Sequence, residues 1–193
     1  MPLPTPIDVV LAVVAVLERL GVRYAVGGSF ASSLHGVFRA SVDVDIVAEL
    51  ADQHVSPLVR EFSEAFYLDE TAIRRAVDSR RSFNLIHLAT MFKVDVFLPK
   101  GRAFDEAQLT RCSPQVIATN PKRTVVVASA EDTILAKLSW YRAGGEVSEQ
   151  QWRDVQGVLQ VQAGRLDTEY MVRMAGSLGV DDLLDRAFAE AAD

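Results

Sequence analysis

The stretch Gly27-Gly28-Ser29, followed by Gly36, Arg39 and then Asp43-Val44-Asp45-Ile46, decides the fold of this chain. Val42, Val44 and Ile46 alternate with Ser41, Asp43 and Asp45, the period-2 pattern of a half-buried strand. Two residues apart on a strand, Asp43 and Asp45 leave by the same face. Aspartate is disfavoured in strands, because its short carboxylate competes with the ladder and seeks solvent. A third acid, Asp95, lies in Lys93-Val94-Asp95-Val96-Phe97, again between apolar β-formers. Each acid alone reads equally well as a solvated strand edge. If the two strands are neighbours, however, three carboxylates crowd one face and raise one another's pKa unless a cation sits between them. Hard divalent cations with oxygen ligands are the natural counter-ions.

Working outward, Gly27-Gly28-Ser29 falls between a short β-rich run, 22–26, and a helix expected over 30–34 with Ser29 as its N-cap. Two glycines let the backbone approach a ligand, and a helix N-terminus offers amide donors to a phosphate. A plain tight turn is the other reading of the same residues. Upstream, 6–20 is dense in apolar residues and reads as a largely buried helix stopped by Gly21. Downstream come a helix near 53–65, a strand near 66–68 and an arginine-rich stretch. Strands 83–88 and 92–98 then form a hairpin, and 116–118 pairs with 124–127 around Asn120-Pro121. Ser129 caps the next helix, with Asp132 three residues on. From there the pattern is all helix, over 131–143, 148–163, 167–178 and 180–191, broken at Gly144-Gly145, Gly164 and Gly179. The expected class is therefore α+β (mixed α/β): a sheet with flanking helices over 1–130, followed by a C-terminal helical bundle over 131–193.

The 193 residues suffice for one well-filled domain or one domain with a helical appendage. The lone Cys112 excludes an internal disulfide and fits a reducing compartment. The N-terminus has no basic leader, and the longest apolar run, Val9 to Leu17, is too short to span a bilayer. These features place the protein in the cytoplasm, with no membrane partner. A net charge of −6 argues against a long nucleic-acid footprint. Arg74, Arg75, Arg80 and Arg81 form the one dense basic cluster, either a solvated helix face or a patch for a phosphorylated acceptor. His35, His54 and His87 have no metal-ligand spacing, and no serine sits in a nucleophile elbow. Trp140, Tyr141 and Trp152 read as core positions.

The series Gly27-Gly28-Ser29, Gly36, Arg39, Asp43-Val44-Asp45-Ile46, with Asp95 on a later strand, resembles the signature of the DNA polymerase β-type nucleotidyltransferase superfamily. Glu131-Asp132, Lys137 and Trp152-Arg153-Asp154 resemble a later motif of its small bacterial members, nearest the AbiEii-type toxin. The resemblance covers residues 20–160 and specifies the fold better than the substrate. It implies that Asp43 and Asp45 ligate Mg²⁺ (or Mn²⁺), and that Asp95 completes the metal site and helps deprotonate an acceptor hydroxyl. It further implies that Gly27, Gly28 and Ser29 hold NTP phosphates and that Lys137 neutralises them. Arg39 is either a nucleotide contact or the partner of a core acid, and Asp154 reads alternatively as a helix-surface residue. The implied reaction moves a nucleoside monophosphate from an NTP to RNA, such as a tRNA end, or to a small molecule. A toxin-type member would also meet an antitoxin-type protein partner. The competing reading is a non-catalytic nucleotide- or protein-binding module that keeps the fold.

Overall fold

A computed structural model describes residues 3–192, which divide into two compact units. One holds the chain through Val26 together with Ser41–Val127; the other holds Gly27–Ala40 together with the chain from Ala128 onward.

The first unit is built on a seven-stranded mixed sheet. Its strands are β1 (Tyr24–Val26), β2 (Asp43–Ala48), β3 (Phe66–Tyr67), β4 (Ser82–His87), β5 (Lys93–Phe97), β6 (Ser113–Thr119) and β7 (Lys122–Val127). They lie in the order β3-β4-β5-β2-β1-β7-β6. The β2–β5 and β1–β7 pairs are parallel and the remaining neighbours antiparallel. Its helices are α1 (Pro6–Arg19), α3 (Asp52–Phe62), α4 (Glu70–Ser79) and α5 (Ala103–Arg111). Helix α1 starts where Thr5 and Asp8 cap each other, with Pro6 inside the first turn, and it buries Val9, Val10, Val13, Val14 and Leu17. The buried strand face carries Val44, Ile46, Val94, Val96 and Leu85.

Two of these helices go beyond the sequence reading. The arginine-rich stretch becomes α4 because Asp69 caps it, accepting from the Ala72 amide, and because Ile73 and Ala76 face inward. Helix α5 carries only two large buried apolar side chains, Phe104 and Leu109. Its start is held instead by Asp105, which accepts from the Lys100 and Arg102 amides and pairs with the Arg102 guanidinium at 2.7 Å. The expected hairpins form, and the turn between β4 and β5 closes through the Met91 amide donating to the His87 carbonyl at 2.8 Å.

The second unit is all helix. It comprises α2 (Gly28–His35), α6 (Ala130–Ala143), α7 (Glu149–Val161), α8 (Thr168–Leu178) and α9 (Asp181–Ala192). Ser129 caps α6 as the sequence suggests, accepting from the Asp132 amide at 3.1 Å. Helix α2 packs on α6 and α7. Where α2 ends, a Cβ on Gly36 would lie 2.8 Å from the Val158 amide nitrogen and 2.9 Å from the Gly157 carbonyl carbon. Only glycine permits that approach, backbone against backbone. Tyr141 is buried, but Trp140 is 53% exposed, a departure from the core role expected for it. The inward stripe of α6 runs through Ile134, Leu135, Leu138 and Tyr141 and leaves position 140 outside.

Among the described residues no helix is long and apolar enough to cross a membrane.

Candidate functional site

In the sheet unit, parallel pairing of β2 and β5 sets Asp45 directly opposite Asp95 and Asp43 opposite Lys93. Alternation does the rest. Val44, Ile46, Val94 and Val96 fill the core, so Asp43, Asp45, Lys93 and Asp95 share the other face, each partly buried. Asn84 on β4 stands opposite Asp95 from the far side. The core therefore determines which way the acids point: a one-residue slip of either strand would bury them and expose the valines.

The carboxylates already have partners. Lys93 Nζ lies 2.7 Å from Asp95 Oδ2, and Ser41 Oγ donates to Asp43 Oδ1 at 2.9 Å. The hydrogen bond to Asp95 holds the Lys93 ammonium pKa above its usual value, with further help from the charges of Asp95, Asp43 and Asp45. Among the described residues no three His, Cys, Asp or Glu side chains stand gathered as a metal would require. The donor chemistry nonetheless suits a hard cation, since all three acids offer carboxylate oxygens from one face. Lys93 was not singled out in the sequence. Its signal was its place two residues before Asp95 in the same strand.

In the helical unit, the backbone turns into α2 at Gly27, the N-cap, and Gly28, whose φ of +57° is the left-handed value that favours glycine. Helix α2 thus begins at Gly28 rather than after Ser29. Ser29 lies inside the first turn, buried, and its carbonyl accepts from Ser32 Oγ at 3.1 Å. No side chain caps the helix at Gly27.

The same unit gathers Arg39, Lys137 and Asp154. Arg39 meets Asp154 through Nε and Nη2, both at 3.1 Å, and Lys137 Nζ reaches Oδ2 at 2.7 Å. Gln150 Nε2 completes the set at 3.0 Å. The side chains of Asp154 and Lys137 are only 7% and 9% exposed, so Asp154 is no surface residue, whereas Arg39 is 34% exposed. Burial pushes the Asp154 carboxyl pKa up, but the hydrogen bonds from Arg39 and Lys137 and the Lys137 charge carry it below the usual value. Arg39 therefore pairs with a buried acid, one of the two roles open to it in the sequence, and Lys137 shares that acid.

The remaining candidates are engaged elsewhere. Arg74 is bound to Asp52, and to Glu70 at 2.7 Å, so the arginine cluster is partly neutralised within its own unit. The imidazole of His35 bonds the Ala128 carbonyl, His54 accepts from the Ala51 amide, and His87 meets the Thr90 hydroxyl.

No protein-family model and no curated protein sequence matches the chain. Solved structures do share its fold. The crystal structure of ANT(2")-Ia in complex with adenylyl-2"-tobramycin superposes with a TM-score of 0.59 at 12% identity, covering 91% of this chain and 97% of that one. The solution structure of the same antibiotic-resistance factor gives 0.55 at 10%, covering 95% and 93%. The lincosamide antibiotic adenylyltransferase LnuA, in its lincomycin-bound crystal structure, gives 0.51 at 13%, covering 79% and 95%.

Proposed function

On the premise that this chain has the nucleotidyltransferase fold of the DNA polymerase β superfamily, we propose that it transfers a nucleoside monophosphate from an NTP to a hydroxyl of a small molecule. The observation that carries this is the register of β2 and β5, which brings Asp43, Asp45 and Asp95 to one face of the sheet. Bound Mg²⁺ or Mn²⁺ would supply a Lewis acid for the charge that develops on the transferring phosphoryl group. Asp43 and Asp45 would hold it. Asp95 would complete its site and take the proton of the acceptor hydroxyl. The acceptor oxygen bonds to the α-phosphorus as the α–β bridging bond breaks and pyrophosphate leaves. In the helical unit, Gly27, Gly28 and Ser29 at the start of α2 have the backbone chemistry that suits phosphate oxygens. Arg39 and Lys137 bring two positive charges to one carboxylate, Asp154, and the surplus cation suits a phosphate.

The small acceptor is favoured over RNA by two observations. The net charge is −6, and Arg74 of the basic cluster is already committed to Asp52 and Glu70. A cationic hydroxylated compound would meet a complementary field. The adenylyl-tobramycin complex of ANT(2")-Ia and the lincomycin complex of LnuA are precedents for small acceptors on this fold.

The test is calorimetric titration of each NTP in Mg²⁺ or Mn²⁺, with the Asp43→Asn, Asp45→Asn double variant as control. Transfer of labelled nucleotide to a panel of aminoglycosides and to bulk tRNA follows. Metal-dependent NTP binding, lost in the double variant, is the expected result. A folded protein that binds no NTP sinks the catalytic reading in favour of a non-catalytic module. Labelling of tRNA in place of small acceptors would restore the RNA-directed, toxin-type reading.

A further inference from the structure

We infer that Lys93 is a resident counter-cation of the acidic face, holding Asp95 until a divalent cation displaces it and so setting the concentration of metal needed to occupy the site. The inference rests on the metal-dependent reading above and deepens it. Lysine is depleted in strands, yet Lys93 sits on β5, which is paired on both sides, by β2 and by β4. Its backbone neighbour across β2 is Asp43, and its ammonium reaches Asp95, which itself stands opposite Asp45. The Lys93 charge thus sits on the face from which the three carboxylates emerge.

Exposure separates this pair from a second lysine–aspartate pair, Lys137 and Asp154. Lys137 and Asp154 are both under a tenth exposed, so neither can leave without stranding a charge. The Lys93 side chain is 41% exposed, so its ammonium can swing into water when a stronger cation takes the carboxylate. Asp95, at 19%, stays to receive it. The one pair is locked and the other exchangeable.

The experiment titrates Mn²⁺ into the full chain by calorimetry, comparing wild type with Lys93→Gln and Lys93→Met, and with Asp45→Asn as the site control. Removing the competing charge should tighten Mn²⁺ binding on the order of tenfold. In the metal-free state both variants should melt lower than wild type, since the carboxylates lose their counter-ion, and Mn²⁺ should raise their Tm more than that of wild type. The glutamine variant keeps the length of the side chain if the methionine variant does not fold. Unchanged or weaker Mn²⁺ binding in folded variants, with Asp45→Asn still abolishing it, overturns the role of Lys93 and leaves the metal site standing. Binding by neither wild type nor variant overturns both readings. Binding by the variants alone supports the inference in its strongest form.

Discussion

Replacing Asp154 by alanine should cost the fold more than any exposed ion pair could. Asp154 receives two hydrogen bonds from Arg39 and one each from Lys137 and Gln150. Its loss leaves the Lys137 ammonium, 9% exposed, without a counter-charge. Breaking one side of a buried pair costs about 3–5 kcal/mol, because the other charge remains desolvated. Arg39, a third exposed, can turn to water and adds little. For a chain of this size each kcal/mol moves Tm by about 2–4 °C, so the drop should be on the order of 10 °C. Thermal melts at pH 7 measure the drop and chemical denaturation the free-energy loss, and the double variant Asp154→Leu, Lys137→Met should recover most of that loss, since no buried charge is left. The pH dependence carries a second signature. The Asp154 pKa is lowered in the folded state, so its contribution is present above the unfolded value near 3.9 and fades as pH falls through the folded one. Wild type should therefore lose its advantage over Asp154→Ala below about pH 4. A single variant within about 1 kcal/mol of wild type at pH 7 would show that Lys137 finds another partner or water, and would refute the reasoning.

Two further outcomes are open to measurement. Gly36→Ala should destabilise the helical unit by about 1–3 kcal/mol, since the new methyl meets main-chain atoms of Gly157 and Val158 that cannot swing aside; a thermal melt unchanged from wild type contradicts that packing. Tyr24 is buried and donates to Glu18 at 2.7 Å, and burial first, then that bond, raises its phenol well above the ordinary range. A spectrophotometric titration should show a late-ionising tyrosine that disappears in Tyr24→Phe, and an unchanged curve in that variant counts against it.

The acid-bearing strands were legible because alternation is local. Val44 and Ile46 declare one face of β2 and Asp43 and Asp45 the other, whatever surrounds them. That Asp95 stands opposite Asp45 was not, because a parallel pairing joins residues fifty positions apart through no turn that could set the register. Lys93 was hidden for a related reason: a lone lysine in a strand carries no meaning until its neighbour across the sheet is known. Asp154 lies in a run rich in Glu, Gln and Arg, beside the apolar stripe of Val155, Val158 and Leu159 and not part of it, so by residue type it reads as a solvated flank. Its burial follows from Arg39 and Lys137 closing over it, which no window of α7 contains. Helix α5 escaped notice because an acid anchor, Asp105, replaces the usual apolar repeat.

The partition of the chain also has a kinetic consequence. Helix α2 is made well before its companions α6 and α7, with Ser41–Val127 of the sheet unit between them in the chain. The His35 carbonyl accepts from Gln162, 127 residues later. At about 5–20 residues per second, a ribosome needs roughly 6–25 s to deliver that partner. During this interval the eight residues of Gly28–His35 are too short to persist as an isolated helix. The glycine turn and the helix behind it therefore acquire their shape only once α6 and α7 have been made, and a chain cut short after Val127 would carry them without the helices that shape them.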